Sequence, residues 1–126
     1  MKYMLIMSGT RAGFDQFMTW PKELLAANFA FMQAFAKKLG QQGELISTHG
    51  LAAPAHARRV TADKDGKPIS DGVFPESKEF LAGFWLVDVA SPERAYEIAA
   101  EISTAPGSGG GALPDKFWIE VREVMG

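Results

Sequence analysis

Cysteine is absent from the chain. That excludes a disulfide frame and any thiolate nucleophile or thiolate metal ligand, and leaves stability to a packed core. A long apolar run is missing too. The opening stretch Lys2 to Met7 falls far short of the ~20 residues that span a bilayer and lacks the small-residue cleavage site of a secretory signal. These absences predict a cytoplasmic protein with no membrane partner. Charge of one sign is not in excess: 13 Lys and Arg against 15 Asp and Glu leave a net charge of −2. No basic stripe is available to neutralise phosphates, which argues against nucleic acid as a partner. Histidine occurs twice, at His49 and His56; seven positions apart across a proline-containing bend, the pair lacks the tight spacing of a metal site, so no metal and no cofactor are expected.

What is present suits a globular fold. Of 126 residues, 47% are hydrophobic and 22% charged, enough apolar surface for one core and too short a chain for two. A single domain over residues 1–126 is expected.

Lys2 to Met7, closed by Ser8-Gly9, reads as a buried strand. Thr10 to Trp20, with Gly13, Phe14, Phe17 and Trp20, reads as a loop that covers something apolar, a small lid or a dimer contact. Pro21 opens a helix with Glu23 at the positive end of its dipole. Leu24, Leu25, Asn28, Phe31, Met32, Phe35 and Leu39 then recur at helical spacing up to Gly43. Glu44 to Leu51 and Arg58 to Ala62 read as strands. Asp65-Gly66 signals a turn in which both residues tolerate positive φ, with Lys67 to Ser70 returning antiparallel. Gly83 to Val89 has the composition of a strand covered on both faces. Ser91 caps a second helix that starts at Pro92, carries Ala95, Ile98, Ala99 and Ile102 on one face and ends near Pro106. Gly107 to Ala112 is a small-residue connector, with no Lys-Ser or Lys-Thr to make it a phosphate loop. Phe117, Ile119 and Val121 alternate with Trp118, Glu120 and Arg122 as a last, half-buried strand.

The order β-α-β-β-α-β with an extra hairpin predicts an α+β, ferredoxin-like domain, an antiparallel sheet with its helices on one face. The other face then needs cover, which a second copy of the chain supplies. Trp85 and Trp118 are expected to add aromatic surface there.

The stretch Asp71-Gly72-Val73-Phe74-Pro75-Glu76-Ser77-Lys78-Glu79-Phe80 resembles the signature of YCII-related proteins, specifically the branch named for its DGPFAETKE motif. The opening Met1-Lys2-Tyr3-Met4, Gly50-Leu51 and Gly83-Phe84-Trp85-Leu86-Val87-Asp88-Val89 are similar to that family as well. Val73 and Pro75 depart from the motif, moving its rigid residue by two positions. The resemblance implies a ferredoxin-like fold that dimerises by sheet packing into a dimeric α+β barrel, and a distant kinship with small enzymes that rearrange breakdown products of aromatic compounds. It implies no particular activity.

Read as residues, Glu76 and Lys78 at i, i+2 share one side of an extended segment. Lys78 suits an anchor for an anionic group, with Phe74, Ser77 and Arg59 as further substrate contacts; of the adjacent Arg58 and Arg59, a strand sends only one into any pocket. Glu76, desolvated by Phe74 and Phe80, is the candidate proton acceptor. Asp71 is either a turn residue bonded to its own backbone or the partner of His49 in a His–Asp pair of the kind that some members of the wider superfamily carry. Against this stands a surface ion-pair cluster of Glu76, Lys78 and Glu79 with no chemistry at all. Two functions follow: a small lyase- or isomerase-like enzyme that moves protons on a small anionic organic molecule, and a non-catalytic dimeric ligand-binding or regulatory domain.

Overall fold

The computed structural model describes residues 1–70, 79–107 and 117–126. Its first element, β1 (Lys2–Gly9), has the expected alternation: Tyr3 and Leu5 are buried, while Met4 and Ile6 are half-buried on the opposite face. Where the sequence reads as a loop, residues Arg11–Phe17 form a helix, α1. Thr10 caps it, its Oγ1 accepting from the backbone N–H of Gly13 at 3.1 Å. Gly13 within the turn and the lack of an acid there hid this helix, and the threonine cap was its one signal. No residue of α1 is buried, so it lies on the molecule as a cover, the role expected of that segment.

The second helix, α2 (Lys22–Gln41), follows Pro21, with Glu23 in its first turn and Lys38 in its last, each placed against the matching end of the dipole. Asn28, Phe35 and Leu39 are buried along its inner face. β2 (Leu45–Gly50) and a single 3₁₀ turn at Pro54–His56 come next, then β3 (Val60–Ala62), β4 (Pro68–Ser70), β5 (Phe80–Asp88), α3 (Pro92–Ile102) and β6 (Glu120–Glu123). Ser91 Oγ accepts from the N–H of Arg94, the expected cap of α3. The first half of the expected 58–62 strand is not extended sheet: Arg58 folds back, its Nη1 donating to the carbonyls of Ala55 and Ala57.

Four strands form one sheet in the order β2-β5-β1-β6, every neighbouring pair antiparallel. The chain is therefore an α+β domain with an antiparallel sheet. α2 and α3 pack on one face of it, where Leu5, Leu39, Trp85, Val87, Ile98 and Ile102 are almost wholly buried. Each such aliphatic side chain contributes about 1.5–3 kcal/mol by leaving water.

The core corrects one expectation. Trp85 is 1% exposed and packs edge-on to Phe35 at 5.7 Å, so it belongs to the helix side of β5 and adds nothing to the free face. Trp118, 79% exposed, lies ahead of β6, an edge strand.

β3 and β4 pair apart from the main sheet as an exposed hairpin. Its turn differs from the expected one: Gly66 alone has positive φ, +83°. Asp63 organises the loop instead, its Oδ1 accepting from the N–H groups of Asp65 and Lys67, as an aspartate does when it mimics a backbone turn.

One ion pair ties α3 to the chain that leaves α2. Arg94 donates through Nη2 to Glu44 Oε1 and through Nε to Glu44 Oε2, each at 2.9 Å. This fork holds the Glu44 carboxyl below its ordinary pKa and the Arg94 guanidinium above its own.

Candidate functional site

Between α1, α2 and the helix-bearing face of the sheet lies an open-sided cavity of about 770 Å³, within the ~300–1,000 Å³ typical of small-molecule sites. Its floor is sheet: Met7 from β1, Thr48 and Gly50 from β2, and Phe80, Ala82 and Trp85 from β5. One side is α2, through Asn28, Phe29 and Met32, and the roof is α1 with Phe14 and Phe17, continued by Trp20.

Aromatic contacts hold this roof. Phe14 meets Phe80 edge-on at 6.5 Å, Phe17 meets Phe29 edge-on at 6.2 Å, and Trp20 lies 4.8 Å from Phe17. Such pairs are worth about 0.5–1.5 kcal/mol each beyond simple burial. At the far end Trp20 rests on Gly107; a β-carbon there would come within 2.3 Å of the indole ring, and the residue has φ +83°. Two glycines face each other across β2 and β5. A β-carbon on Gly83 would press on Met7 and on the carbonyl of His49, whereas one on Gly50 would meet nothing within 4 Å.

The polar groups of the lining are few. Thr10 is committed to capping α1. Thr48 donates its hydroxyl to the carbonyl of Phe84 at 2.9 Å. Asn28, 6% exposed, donates Nδ2 to the carbonyl of Pro106 at 2.9 Å. The indole Nε1–H of Trp85 is buried and has no acceptor among the described residues. Among the described residues that line the cavity none is Asp, Glu, Lys, Arg or His. These described walls suit apolar and aromatic surface and supply no acid or base.

The expected site residues fall in three places. Asp71, Phe74, Glu76, Ser77 and Lys78 lie outside the described residues. His49, in β2, is exposed on the helix-free face, its ring 5.8 Å from that of Phe84. Arg59 is exposed just ahead of β3. Neither His49 nor Arg59 lines the cavity. Among the described residues no three His, Asp or Glu cluster as metal ligands, and no helix is long and apolar enough to cross a membrane.

Sequence reasoning placed Asn28 in the stripe of α2 and Trp85 on the helix-free face, and gave neither a part in the site. Asn28 carried a signal, a lone amide within an apolar helical stripe. Trp85 carried none, since no pattern marks an indole that ends without an acceptor.

Fold and cavity together define a small α+β domain with an aromatic-walled chamber beneath a short helical roof. The chain belongs to the YCII-related domain family, whose model matches residues 1–112. It is also similar to an uncharacterized protein of Rhizobium meliloti (strain 1021), with 37% identity over 75 residues. That match covers 60% of this chain and 56% of the relative, so the chain spans little more than half the relative's length.

Proposed function

We propose that this domain binds a small organic molecule whose enclosed part is apolar or aromatic, in the cavity between α1, α2 and the sheet. The observation that carries this reading is a chamber of about 770 Å³ walled by Phe14, Phe17, Phe29, Phe80 and Trp85 with no ionisable side chain among its described lining. It favours the binding or regulatory role over proton transfer by the described residues. In the same reading the chain is a ferredoxin-like, cytoplasmic member of the DGPFAETKE branch. It pairs with a second copy through the helix-free face into a dimeric barrel, with Met4, Ile6, Phe84 and Leu86 at the centre of that face.

A second reading keeps the lyase- or isomerase-like enzyme. It is favoured by Phe80, which lines the cavity and follows Lys78 by two residues in the sequence. There Glu76 or Asp71 moves the proton and Lys78, with Phe74 and Ser77, holds a small anionic substrate; the His49–Asp71 pair and Arg59 drop out of this reading, because neither His49 nor Arg59 lines the cavity.

Gly50→Leu tests the binding role, because its side chain grows into open space. Titrated with 2-naphthol, the wild-type chain should show saturable quenching of tryptophan fluorescence, and the variant should lose it at an unchanged Tm. Equal quenching in both, or none in the wild type, overturns the reading.

A further inference from the structure

Asn28 is 6% exposed and, among the described residues, is the buried side chain that carries an amide, an aliphatic hydroxyl or a charge. A buried amide needs partners for both of its arms. Nδ2 has one in the carbonyl of Pro106 at 2.9 Å, and this fixes which arm is which, because a reversed amide would set two acceptors against each other. Oδ1, on the other arm, accepts from no group among the described residues. It is not sealed in. Among described residues that are not exposed, the side-chain polar atom both closed to solvent and unpaired is Trp85 Nε1, so Asn28 Oδ1 keeps a surface of its own. That surface belongs to the cavity: Asn28 lies on the inner face of α2, beside Phe29 and one turn before Met32, and all three line the cavity. The other neutral polar side chains of the lining are engaged or lie in the open. Thr10 caps α1, Thr48 donates to Phe84, and Ser8 is exposed.

We infer that the ligand is an aromatic compound whose ring carries a neutral hydrogen-bond donor, a hydroxyl or an N–H, and that Asn28 Oδ1 accepts from it. This rests on the cavity being the binding site. The aromatic part follows from Phe14, Phe17 and Phe29, whose faces and edges suit a flat ring. The donor follows from Oδ1, an acceptor with no hydrogen of its own. A carboxylate or phenolate oxygen at the same place would meet it acceptor to acceptor, so an anion gains nothing there and loses its water. The bond to Pro106 holds the amide in this orientation before a ligand arrives, and a contact made to a group already in place costs little ordering. Asn28 is thus the residue that selects among flat aromatic compounds of one size.

The test uses three ligands of similar size on the full chain: 2-naphthol, its hydrocarbon isostere 2-methylnaphthalene, and the anion 2-naphthoate. Binding is followed by tryptophan fluorescence and by the ¹³Cγ resonance of Asn28, assigned through its own side-chain amide protons. A hydroxyl taken from water with no partner costs the naphthol about tenfold or more against the methyl compound; a hydroxyl received by Oδ1 recovers that loss. The expected result is that 2-naphthol binds at least as tightly as 2-methylnaphthalene, that it alone moves the Asn28 ¹³Cγ resonance downfield, and that 2-naphthoate binds weakest. If the hydrocarbon binds more tightly, the donor requirement is overturned while cavity binding stands. If the naphthol binds and the Asn28 resonance stays in place, the role of Asn28 is overturned whatever the affinities. If naphthoate binds most tightly, the neutral class is overturned, again with the cavity intact. If none of the three binds, cavity binding itself fails and this inference with it. Because the ligands are varied and the chain is kept whole, an Asn28 variant that does not fold cannot obscure the answer.

Discussion

The side-chain amide of Asn28, in the second turn of α2, donates to the backbone carbonyl of Pro106 at 2.9 Å, a contact between residues 78 apart in sequence. It fastens α2 to the turn that follows α3, directly beside the end of the cavity, and it orients the residue next to Gly107 on which Trp20 rests. Replacing Asn28 by Ala leaves that carbonyl without its donor and should lower stability by about 1–3 kcal/mol. Asn28→Asp is the sharper probe. A carboxylate here faces a carbonyl oxygen in a buried setting, so its folded-state pKa is raised. The variant keeps its stability below the ordinary carboxylate range and loses it as pH rises through the raised folded value. Urea unfolding across acidic and neutral pH should therefore show N28D weakening toward neutrality relative to N28A.

Gly107 and Gly66 share a positive φ of +83° but not their surroundings. Alanine at Gly66 meets nothing within 4 Å, so only the backbone conformation is strained, at a cost of about 1 kcal/mol. Alanine at Gly107 pays the same strain and also drives a methyl into the Trp20 ring, which must leave its seat. G107A should unfold at distinctly lower urea than G66A, and it alone should change the fluorescence of Trp20. Equal midpoints would mean that Trp20 does not rest on this glycine.

The fork between Arg94 and Glu44 gives a dependence of stability on pH whose sign is fixed. The guanidinium hydrogen bonds hold the Glu44 carboxyl below its ordinary range, so the folded state is favoured above the unfolded-state pKa and that contribution fades as pH falls through the lowered folded value. The side chains are only 18% and 29% exposed, which shields the pair from much of the screening that makes surface bridges worthless. Glu44→Gln should cost about 1–2 kcal/mol near neutral pH, and the gap to wild type should close on acidification, measured by urea midpoints at both pH values.

Much of this architecture was legible as periodicity. The apolar stripe of α2, the Ser91-Pro92 start of α3 and the turn glycine Gly66 each state their local structure in the chain itself. The α1 helix was hidden because seven residues are too few to display a period and its glycine disfavours helix. Trp85 was assigned to the wrong face because only its ladder partners Leu5 and Thr48 fix which side of β5 it occupies, and a one-residue change of phase reverses every side chain. The cavity is a relation among α1, α2 and the sheet, elements far apart in sequence. Composition announced aromatic residues near Phe14, Phe17 and Trp20 but not the space they enclose. The expected chemistry was placed on the motif at 71–79, of which Glu79 alone belongs to the described residues.

The helix-free face carries the last prediction. Register places Met4 beside Leu86 and Ile6 beside Phe84 on the two central strands. His49 lies next to Phe84 on one edge, and Arg122 and Glu120 lie next to Met4 and Ile6 on the other. This is an apolar centre with a polar rim, the anatomy of a protein interface. A pair of such faces related by a two-fold axis also sets matching rims against each other, as self-complementary contacts require. Phe84→Asp puts a charge at the centre while leaving the helix-side core untouched. Light scattering after size exclusion should give twice the chain mass for the wild type and a single chain mass for F84D, with the circular dichroism of the two alike. A monomeric wild type, or a variant that still pairs, would remove the second copy as the cover of this face.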